Sequence, residues 1–236
     1  KAPLAAIITP IAHDHEHFLG TDLGQIAGQK AGIMRAKTPC YSANQKTEVM
    51  HVLTTHAKNI GASLQVAGRD FHLTKTDAGG IHLSSRVQDF SLPTPGLRGP
   101  HQFYNAGLAV ACLSDLAKKN LLPSRGQTKW ENAFVTGIKA AVWPGRVQQL
   151  TTGLLAEIWP QRPVWLDGAH NAHGAQALAT TLGQIYNGKW NIICGALNTR
   201  NPAEFLAPLV PLAGSVRCIS IVGQPASLSA AEMTDA

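Results

Sequence analysis

Short apolar runs alternate along the chain with helical patterns, and this alternation is what most restricts the fold. Residues 4–9 form an apolar, β-branched run that ends at Pro10, and the apolar residues of 47–59 then recur at helical spacing. Strands that are joined through a helix pair in parallel, so we expect an α/β fold with a doubly wound sheet. Such sheets hold ligands beyond the carboxyl ends of their strands.

Local patterns also predict the order of the elements and a boundary between two domains. Gly79 and Gly80 are typical of a hairpin turn between two alternating stretches. We place the domain boundary at WPGR, residues 143–146, which separates residues 1–143 from 144–236. Strands are predicted at residues 4–9, 40–43, 164–166, 191–194 and 216–222, and further short strands within 64–90. Helices are predicted at residues 22–32, 47–59, 102–119 and 128–142, with one more from the end of DGAHN to about residue 186 and a last one that begins at about residue 202. Thr21 or Asp22 is expected to cap the first helix.

Composition excludes several classes of protein. The 236 residues are 44% apolar, and 20 Lys and Arg against 14 Asp and Glu give a net charge of +6. The basic residues form no run, so phosphorylated small molecules suit this charge better than nucleic acid does. The four cysteines lack CxxC spacing, which favours buried, reduced thiols in the cytoplasm. No apolar run approaches the roughly 20 residues of a membrane span.

Metal-binding side chains are concentrated just after the first predicted strand. His13, Asp14, His15 and His17 lie in one short loop at the strand's carboxyl end. Imidazole and carboxylate groups are metal ligands, and this edge of a sheet is where ligands lie. Solvated loop residues are the alternative for any single histidine.

Lys30 is the only basic residue in the helix that follows this loop. Its alanine and glycine neighbours allow close packing. Desolvation favours the neutral form of a lysine amine, which can react with carbon dioxide to give a carbamate. A carbamate is an anionic oxygen ligand for a hard cation such as Mg²⁺. A lysine that binds a loop carbonyl is the alternative.

The stretch ITPIAHDHEHFLGTDLGQIAGQKAGI, residues 8–33, resembles a segment of the folylpolyglutamate synthase and dihydrofolate synthase family of the Mur ligase superfamily. Its Asp-His pair and its Lys-Ala-Gly-Ile element are in step with the family pattern. The resemblance implies that His15 binds Mg²⁺ and that Lys30 is carbamylated and acts as a second metal ligand. His13 and His17 match no ligand position of the family.

Three further stretches resemble the same family in the same order. GPHQFYNAGLA implies that Asn105 contacts the adenine of ATP, while the preceding His101 and Gln102 either cap the helix or touch the ligand. WPGRVQ implies that Arg146 binds phosphate at a hinge. LDGAHNAHGA implies that Asp167 binds the ribose and that His170 lies near the ribose and the phosphates.

The sequence also bears on a helix cap at Asn171 and on a loop at residues 200 and 201. Asn171 is expected to cap the helix that follows DGAHN. In GALNTRNP, Arg200 and Asn201 replace the Lys and Asp of a family element, so a substrate contact by this loop is left open.

The resemblance implies a fold and a reaction. The fold is α/β, with the C-terminal part of a central ATPase domain in residues 1–143 and a Rossmann-like C-terminal domain in 144–236. The reaction is that of an ATP-dependent C–N ligase, which adds L-glutamate to dihydropteroate or folate through an acyl phosphate, with ATP and Mg²⁺. The implied partners are small-molecule substrates, without nucleic acid or membrane, and the intact enzyme is expected to be a monomer.

The phosphate-binding loop that this chemistry requires is missing from the sequence. Gly-Lys occurs only at Gly188-Lys189, and no G-x-x-x-x-G-K-S/T element surrounds it. We therefore expect an N-terminally truncated chain with an incomplete last domain and little ligase activity by itself. A cell-wall Mur ligase and a non-catalytic nucleotide-binding fragment are the alternatives.

Overall fold

The computed structural model describes residues 3–13, 22–86, 88–123, 127–199 and 201–235. The chain forms two compact units. Unit 1 contains Lys1–Gly96 and His101–Val142, and unit 2 contains Leu97–Pro100 and Trp143–Ala236. The assignment of residues 1–143 and 144–236 to two domains of the ligase family stays a prediction.

Strands and helices alternate through much of both units. The strands are β1 (Ala6–Ile8), β2 (Pro39–Ser42), β3 (Ser63–Val66), β4 (Phe71–Lys75), β5 (Ile81–Ser85), β6 (Asp89–Leu92), β7 (Gln148–Leu150), β8 (Val164–Leu166), β9 (Trp190–Cys194) and β10 (Ala213–Cys218). The helices are α1 (Leu23–Ala31), α2 (Thr47–Ile60), α3 (Pro100–Lys118), α4 (Gln127–Ala140), α5 (Leu154–Ile158), α6 (Ala172–Ile185), α7 (Pro202–Leu206) and α8 (Ala230–Thr234), with a 3₁₀ turn at Val210–Leu212. None of the described helices is long and apolar enough to span a membrane.

Unit 1 contains a parallel sheet that is covered on both faces. Its strand order is β1-β2-β3. Successive side chains of a strand point to opposite faces, so Cys40 packs into one core with residues of α1 and α2, whereas Tyr41 packs into a second core with residues of α3 and α4. Parallel sheets are stable when both faces are buried in this way.

An antiparallel meander of β4, β5 and β6 follows the parallel sheet. The turn between β4 and β5 closes through the N–H of Thr76, which donates to the carbonyl of Gly80 at 2.9 Å. Gly79 has a φ of +79°, a conformation that glycine adopts without a steric penalty. The buried side chains of β4 and β5, including Phe71, Ile81 and Leu83, belong to the second core.

Unit 2 contains two short ladders and its own core. β7 pairs with β8 in antiparallel fashion, and β9 pairs with β10 in parallel. The core lies between the β9–β10 ladder and helices α6 and α7, where Ala175, Leu182, Phe205 and Leu209 are buried. Arg98 lies over the ring of Trp165, 5.1 Å from its centroid, which is a cation–π contact.

Most predicted elements are confirmed, and the differences have local causes. The mixed α/β class is confirmed, but the described strands of unit 2 form two separate pairs instead of one doubly wound sheet. β8 has three residues, and these pair with β7. The strand predicted at residues 216–222 lies instead at Ala213–Cys218, because the ladder with β9 ends where Cys218 pairs with Cys194.

Candidate functional site

Lys30 lies on the apolar stripe of α1. It follows Leu23 by seven residues, Ile26 by four and Ala27 by three, and these three side chains are buried. Such spacings place all four residues on one face of a helix. The side chain of Lys30 is half-buried, and no ion pair or hydrogen bond of its amine occurs within the described residues. A lysine thus stands where the helix pattern calls for an apolar side chain.

Both ends of the helix that carries Lys30 are fixed by local contacts. Asp22 caps α1 through its side chain, which accepts a hydrogen bond from the N–H of Gln25 at 2.9 Å. Beyond the last turn, the guanidinium of Arg35 donates to the carbonyls of Gly32 and Met34. These contacts hold the last turn of α1, and with it the backbone of Lys30, in place.

His15 lies outside the described residues, so its distance from Lys30 stays a prediction. His13 lies within them and is exposed. In the described part of the chain, no three His, Cys, Asp or Glu side chains lie close enough together to hold a metal ion. The predicted site uses a different ligand set, namely a modified lysine and His15.

A glutamine that the sequence analysis overlooked fixes the backbone at the start of the histidine loop. Gln45 accepts a hydrogen bond from the N–H of Ile11 at 2.9 Å and donates one to the carbonyl of Thr9 at 3.0 Å. These two backbone groups flank Pro10, just after β1. Gln45 itself lies just after β2, the parallel strand next to β1. This position at the carboxyl end of a strand is the sequence feature that could have identified it.

Asn105 lies inside α3, with its side chain half-buried. Its Nδ2 donates to Oε1 of Gln102 at 3.3 Å, and Gln102 is buried. Because α3 begins at Pro100, His101 and Gln102 lie in its first turn. Whether they cap the helix or touch the ligand stays a prediction.

The WPGR and DGAHN segments are hydrogen-bonded to each other in unit 2. Oδ2 of Asp167 accepts from the N–H of Val147 at 2.8 Å, and Oδ1 accepts from the N–H of Ala169 at 2.7 Å. The N–H of Gly168 donates to the carbonyl of Gly145 at 2.8 Å. Together these bonds join two segments about twenty residues apart, and the carboxylate of Asp167 is central to the joint.

The same joint places Arg146 beside Gly168. A methyl group built on Gly168 would lie 3.2 Å from Nη1 of Arg146, so the glycine leaves the space that the guanidinium uses. Arg146 is exposed. Its neighbours Gly145 and Val147 both have positive φ, +69° and +46°. A positive φ is costly for a β-branched residue, and the bond from the N–H of Val147 to Asp167 helps to hold it.

His170 and Asn171 lead into the N-terminus of α6. Nδ1 of His170 lies 2.9 Å from the carbonyl oxygen of Gly168. A carbonyl can only accept, so Nδ1 carries the proton in this contact. Asn171 caps α6 by accepting from the N–H of Gly174 at 2.7 Å, which confirms its predicted role. The N-terminus of a helix attracts anions through its N–H groups and its dipole.

Asn201 caps the short helix α7. Its Oδ1 accepts from the N–H of Ala203 at 3.1 Å, and its Nδ2 donates to Glu204 at 3.0 Å. Asparagine and aspartate are both good capping residues. Asn201 can therefore cap the helix as well as the aspartate that the family has at this position. Arg200 lies outside the described residues.

The structure therefore brings together Arg146, Asp167 and His170, all in unit 2. Lys30 and Asn105 lie in unit 1. The carboxylate, the guanidinium and a helix N-terminus offer one hydrogen-bond acceptor for hydroxyl groups and two kinds of donor for phosphate oxygens. This combination suits a phosphorylated sugar.

Known sequences and structures resemble the chain over nearly its whole length. No family model matches it. The dihydrofolate synthase/folylpolyglutamate synthase of Bacillus subtilis is 30% identical over 232 residues, covering 96% of this chain and 51% of that protein. The protein of the same description from Mycobacterium tuberculosis is 31% identical over 243 residues, covering 97% and 46%. The chain thus spans about half the length of these relatives.

Solved structures show the same similarity in three dimensions. E. coli FolC in complex with DHPP and ADP is 27% identical and superposes with a TM-score of 0.81, covering 99% of this chain and 51% of that one. A bifunctional folylpolyglutamate synthase/dihydrofolate synthase with Mn, AMPPNP and L-glutamate bound is 28% identical, with a TM-score of 0.79 and the same coverage.

Fold and relatives together place the chain among the homologues of ATP-dependent ligases. Within that class, its homologues are the folylpolyglutamate synthases and dihydrofolate synthases.

Proposed function

We propose that the chain supplies nucleotide- and metal-binding residues of an ATP-dependent ligase that adds L-glutamate to dihydropteroate or folate through an acyl phosphate. The observation that carries the proposal is the hydrogen-bonded joint of the WPGR and DGAHN segments, which gathers Arg146, Asp167 and His170 at the start of α6. The names and bound molecules of the relatives support the choice of reaction and substrates.

Nucleotide-contacting roles are proposed for side chains of each unit, taken separately. In unit 2, Asp167 accepts from the ribose hydroxyls, since each of its oxygens keeps a lone pair beyond its backbone bond. His170 and Arg146 bind the phosphates there, next to the N-terminus of α6. In unit 1, Asn105 pairs with the adenine edge through its amide, as the family resemblance implies.

Lys30 is proposed to be carbamylated and, with His15, to bind Mg²⁺. Its half-buried place on the apolar stripe of α1, with no ion pair or hydrogen bond of its amine within the described residues, fits this role. When bound, the metal would neutralise charge that develops on the γ-phosphate. Lys30 is a metal ligand in this proposal and not a nucleophile. A cytoplasmic, monomeric enzyme stays a prediction from the sequence.

The carbamate can be tested directly on the purified chain. We expect carbon-13 bicarbonate to give one carbamate carbon signal in the NMR spectrum, which Lys30→Met removes. Lys58→Met is the matched control, since Lys58 also lies in the last turn of a helix but is exposed. A signal that survives Lys30→Met would refute the role of Lys30.

The ligase reaction is tested by phosphate release. With ATP, dihydropteroate and L-glutamate, we expect this chain alone to show little or no turnover, because it contains no G-x-x-x-x-G-K-S/T element. Rapid turnover by the chain alone would contradict this. Replacing dihydropteroate by UDP-linked muramoyl peptides in the same assay, with the longer gene product if one exists, distinguishes a folate ligase from a cell-wall ligase.

A non-catalytic nucleotide-binding role is the second candidate, and a chain without a G-x-x-x-x-G-K-S/T element is consistent with it. Both candidates predict that AMPPNP binds. The two candidates make different predictions for a longer gene product. The ligase proposal requires that the phosphate-binding loop is encoded upstream and that the longer protein turns over substrate at a measurable rate.

A further inference from the structure

Two cysteines face each other at the ends of the parallel ladder in unit 2. Cys194 is the last residue of β9 and Cys218 is the last residue of β10, and the two are paired in register. Side chains paired in register lie on the same face of a ladder. Both cysteines are free and half-buried.

The spacing of such a pair is compatible with a covalent bond. Neighbouring strands lie about 4.8 Å apart in a sheet. Disulfides join residues with Cα atoms about 4.4 to 6.8 Å apart. No register shift occurs between Ser215 and Cys218, so this spacing holds up to the last pair.

We propose that Cys194 and Cys218 form a dithiol modification site, which is converted to an internal disulfide by exchange with a low-molecular-weight disulfide such as oxidised glutathione. One thiolate attacks the reagent, forms a mixed disulfide and releases one thiol. The second thiolate then attacks the protein sulfur and releases the second thiol. Two protein thiols are oxidised, one reagent disulfide is reduced to two thiols, and both protein protons pass to the released thiols.

The two remaining cysteines provide an internal comparison. Cys40 and Cys112 are buried at 0% and 3% exposure in unit 1, so a reagent of the size of glutathione has no access to them in the folded chain. Burial also raises the pKa of each of these thiols to about 11. Burial and the nearby Cys218 raise the pKa of Cys194 to about 11 as well, so the exchange is expected to be slow at neutral pH.

The modification would act at the carboxyl edge of the β9–β10 ladder. Cys194 directly precedes the segment 195–198, whose backbone bonds to residues 226–228, with Asn198 donating to Ala226 at 2.7 Å and Leu228 donating to Ala196 at 2.9 Å. A disulfide would fix the carboxyl ends of β9 and β10 where these connections begin. In α/β sheets, ligands bind beyond this edge. The inference does not depend on the proposed ligase activity.

The experiment is native oxidation of the purified chain with oxidised glutathione, followed by alkylation in urea, non-reducing digestion and mass spectrometry. We expect a linked peptide that contains Cys194 and Cys218, loss of two of the four titratable thiols, alkylated Cys40 and Cys112, and full reversal by dithiothreitol. Cys194→Ser should convert the product into a mixed disulfide on Cys218.

Matched controls keep the proposal refutable. The double variant Cys40→Ala with Cys112→Ala should still form the link, and the wild-type digest gives the answer even if that variant fails to fold. Stable mixed disulfides on both Cys194 and Cys218 without a linked peptide would overturn the proposal. A link that involves Cys40 or Cys112, or no native reaction when the urea-unfolded chain reacts, would overturn it too.

Discussion

Replacing Asp167 with alanine should destabilise unit 2 even without a ligand. The carboxylate accepts two backbone hydrogen bonds, at 2.8 Å from Val147 and 2.7 Å from Ala169. A hydrogen bond to a charged group contributes roughly 1.5 to 3 kcal/mol, and the lower value applies because the side chain is half-buried. Two such bonds give a loss of about 3 kcal/mol in the free energy of unfolding.

The variant Asp167→Asn should lose only part of this free energy of unfolding. The amide of Asp167→Asn keeps one acceptor oxygen but turns an NH₂ group toward the second N–H, so about 1.5 kcal/mol of the loss remains. The matched control is Glu157→Ala, which removes an exposed carboxylate in the same unit. Its effect should stay within about 0.5 kcal/mol.

Urea unfolding monitored by tryptophan fluorescence measures these differences. Four of the five tryptophans belong to unit 2, so the signal mainly reports on the unit that contains the change. Amide exchange should also accelerate at Val147 and Ala169 in Asp167→Ala. A loss below about 1 kcal/mol, or one equal to that of Glu157→Ala, would show that the joint does not depend on the carboxylate.

Three further changes test other parts of the structure. Asn171→Ala should lower the free energy of unfolding by about 1 kcal/mol through loss of the α6 cap, and Asn171→Asp should restore most of it, as urea unfolding would show. Arg146→Ala should weaken AMPPNP binding several-fold in calorimetry, because it removes the proposed phosphate contact; unchanged affinity would argue against a phosphate contact by Arg146. The raised pKa values of Cys40 and Cys112, about 11 against 9 in the unfolded chain, mean that the folded state keeps protons that the unfolded state loses. Stability should therefore fall between about pH 9 and 11, and a Cys40→Ala, Cys112→Ala double variant should show a smaller fall in pH-dependent unfolding.

The sequence predicted elements well where the signal is local. Asp22 is a good capping residue before an apolar stripe, and Gly79 with Gly80 is a good hairpin turn, so both were identified. β7 escaped prediction because Gln148–Leu150 has no alternating pattern. β7 forms because the turn at Gly145 and Val147 directs the chain so that residues 148–150 pair with β8. The length of β10 was also missed, since its partner strand and not its own composition decides where it ends.

The candidate site was also predicted only in part, because contacts between a side chain and the backbone are not visible in the sequence. The family resemblance implies a ribose contact for Asp167, which stays a prediction. The two bonds that its carboxylate accepts from backbone N–H groups leave no trace in the identity of residues 147 and 169. Any non-proline residue offers such a donor. Gln45 was missed for a similar reason, because its partners are the backbone groups of residues 9 and 11. Side chains that bind backbone are therefore the part of a site that a single sequence conceals.

Lys30 is the opposite case, because it interrupts a pattern that is visible in the sequence. An apolar residue at position 30 would extend the stripe of Leu23, Ile26 and Ala27. Lys30→Leu should therefore raise the free energy of unfolding by about 1 kcal/mol while abolishing the carbamate, as expected where function and stability conflict. Lys58→Leu, at an exposed position of α2, should change it by less than about 0.5 kcal/mol. If Lys30→Leu proved destabilising in urea unfolding, the lysine would be a structural residue, and its place on the stripe would no longer argue for a metal ligand.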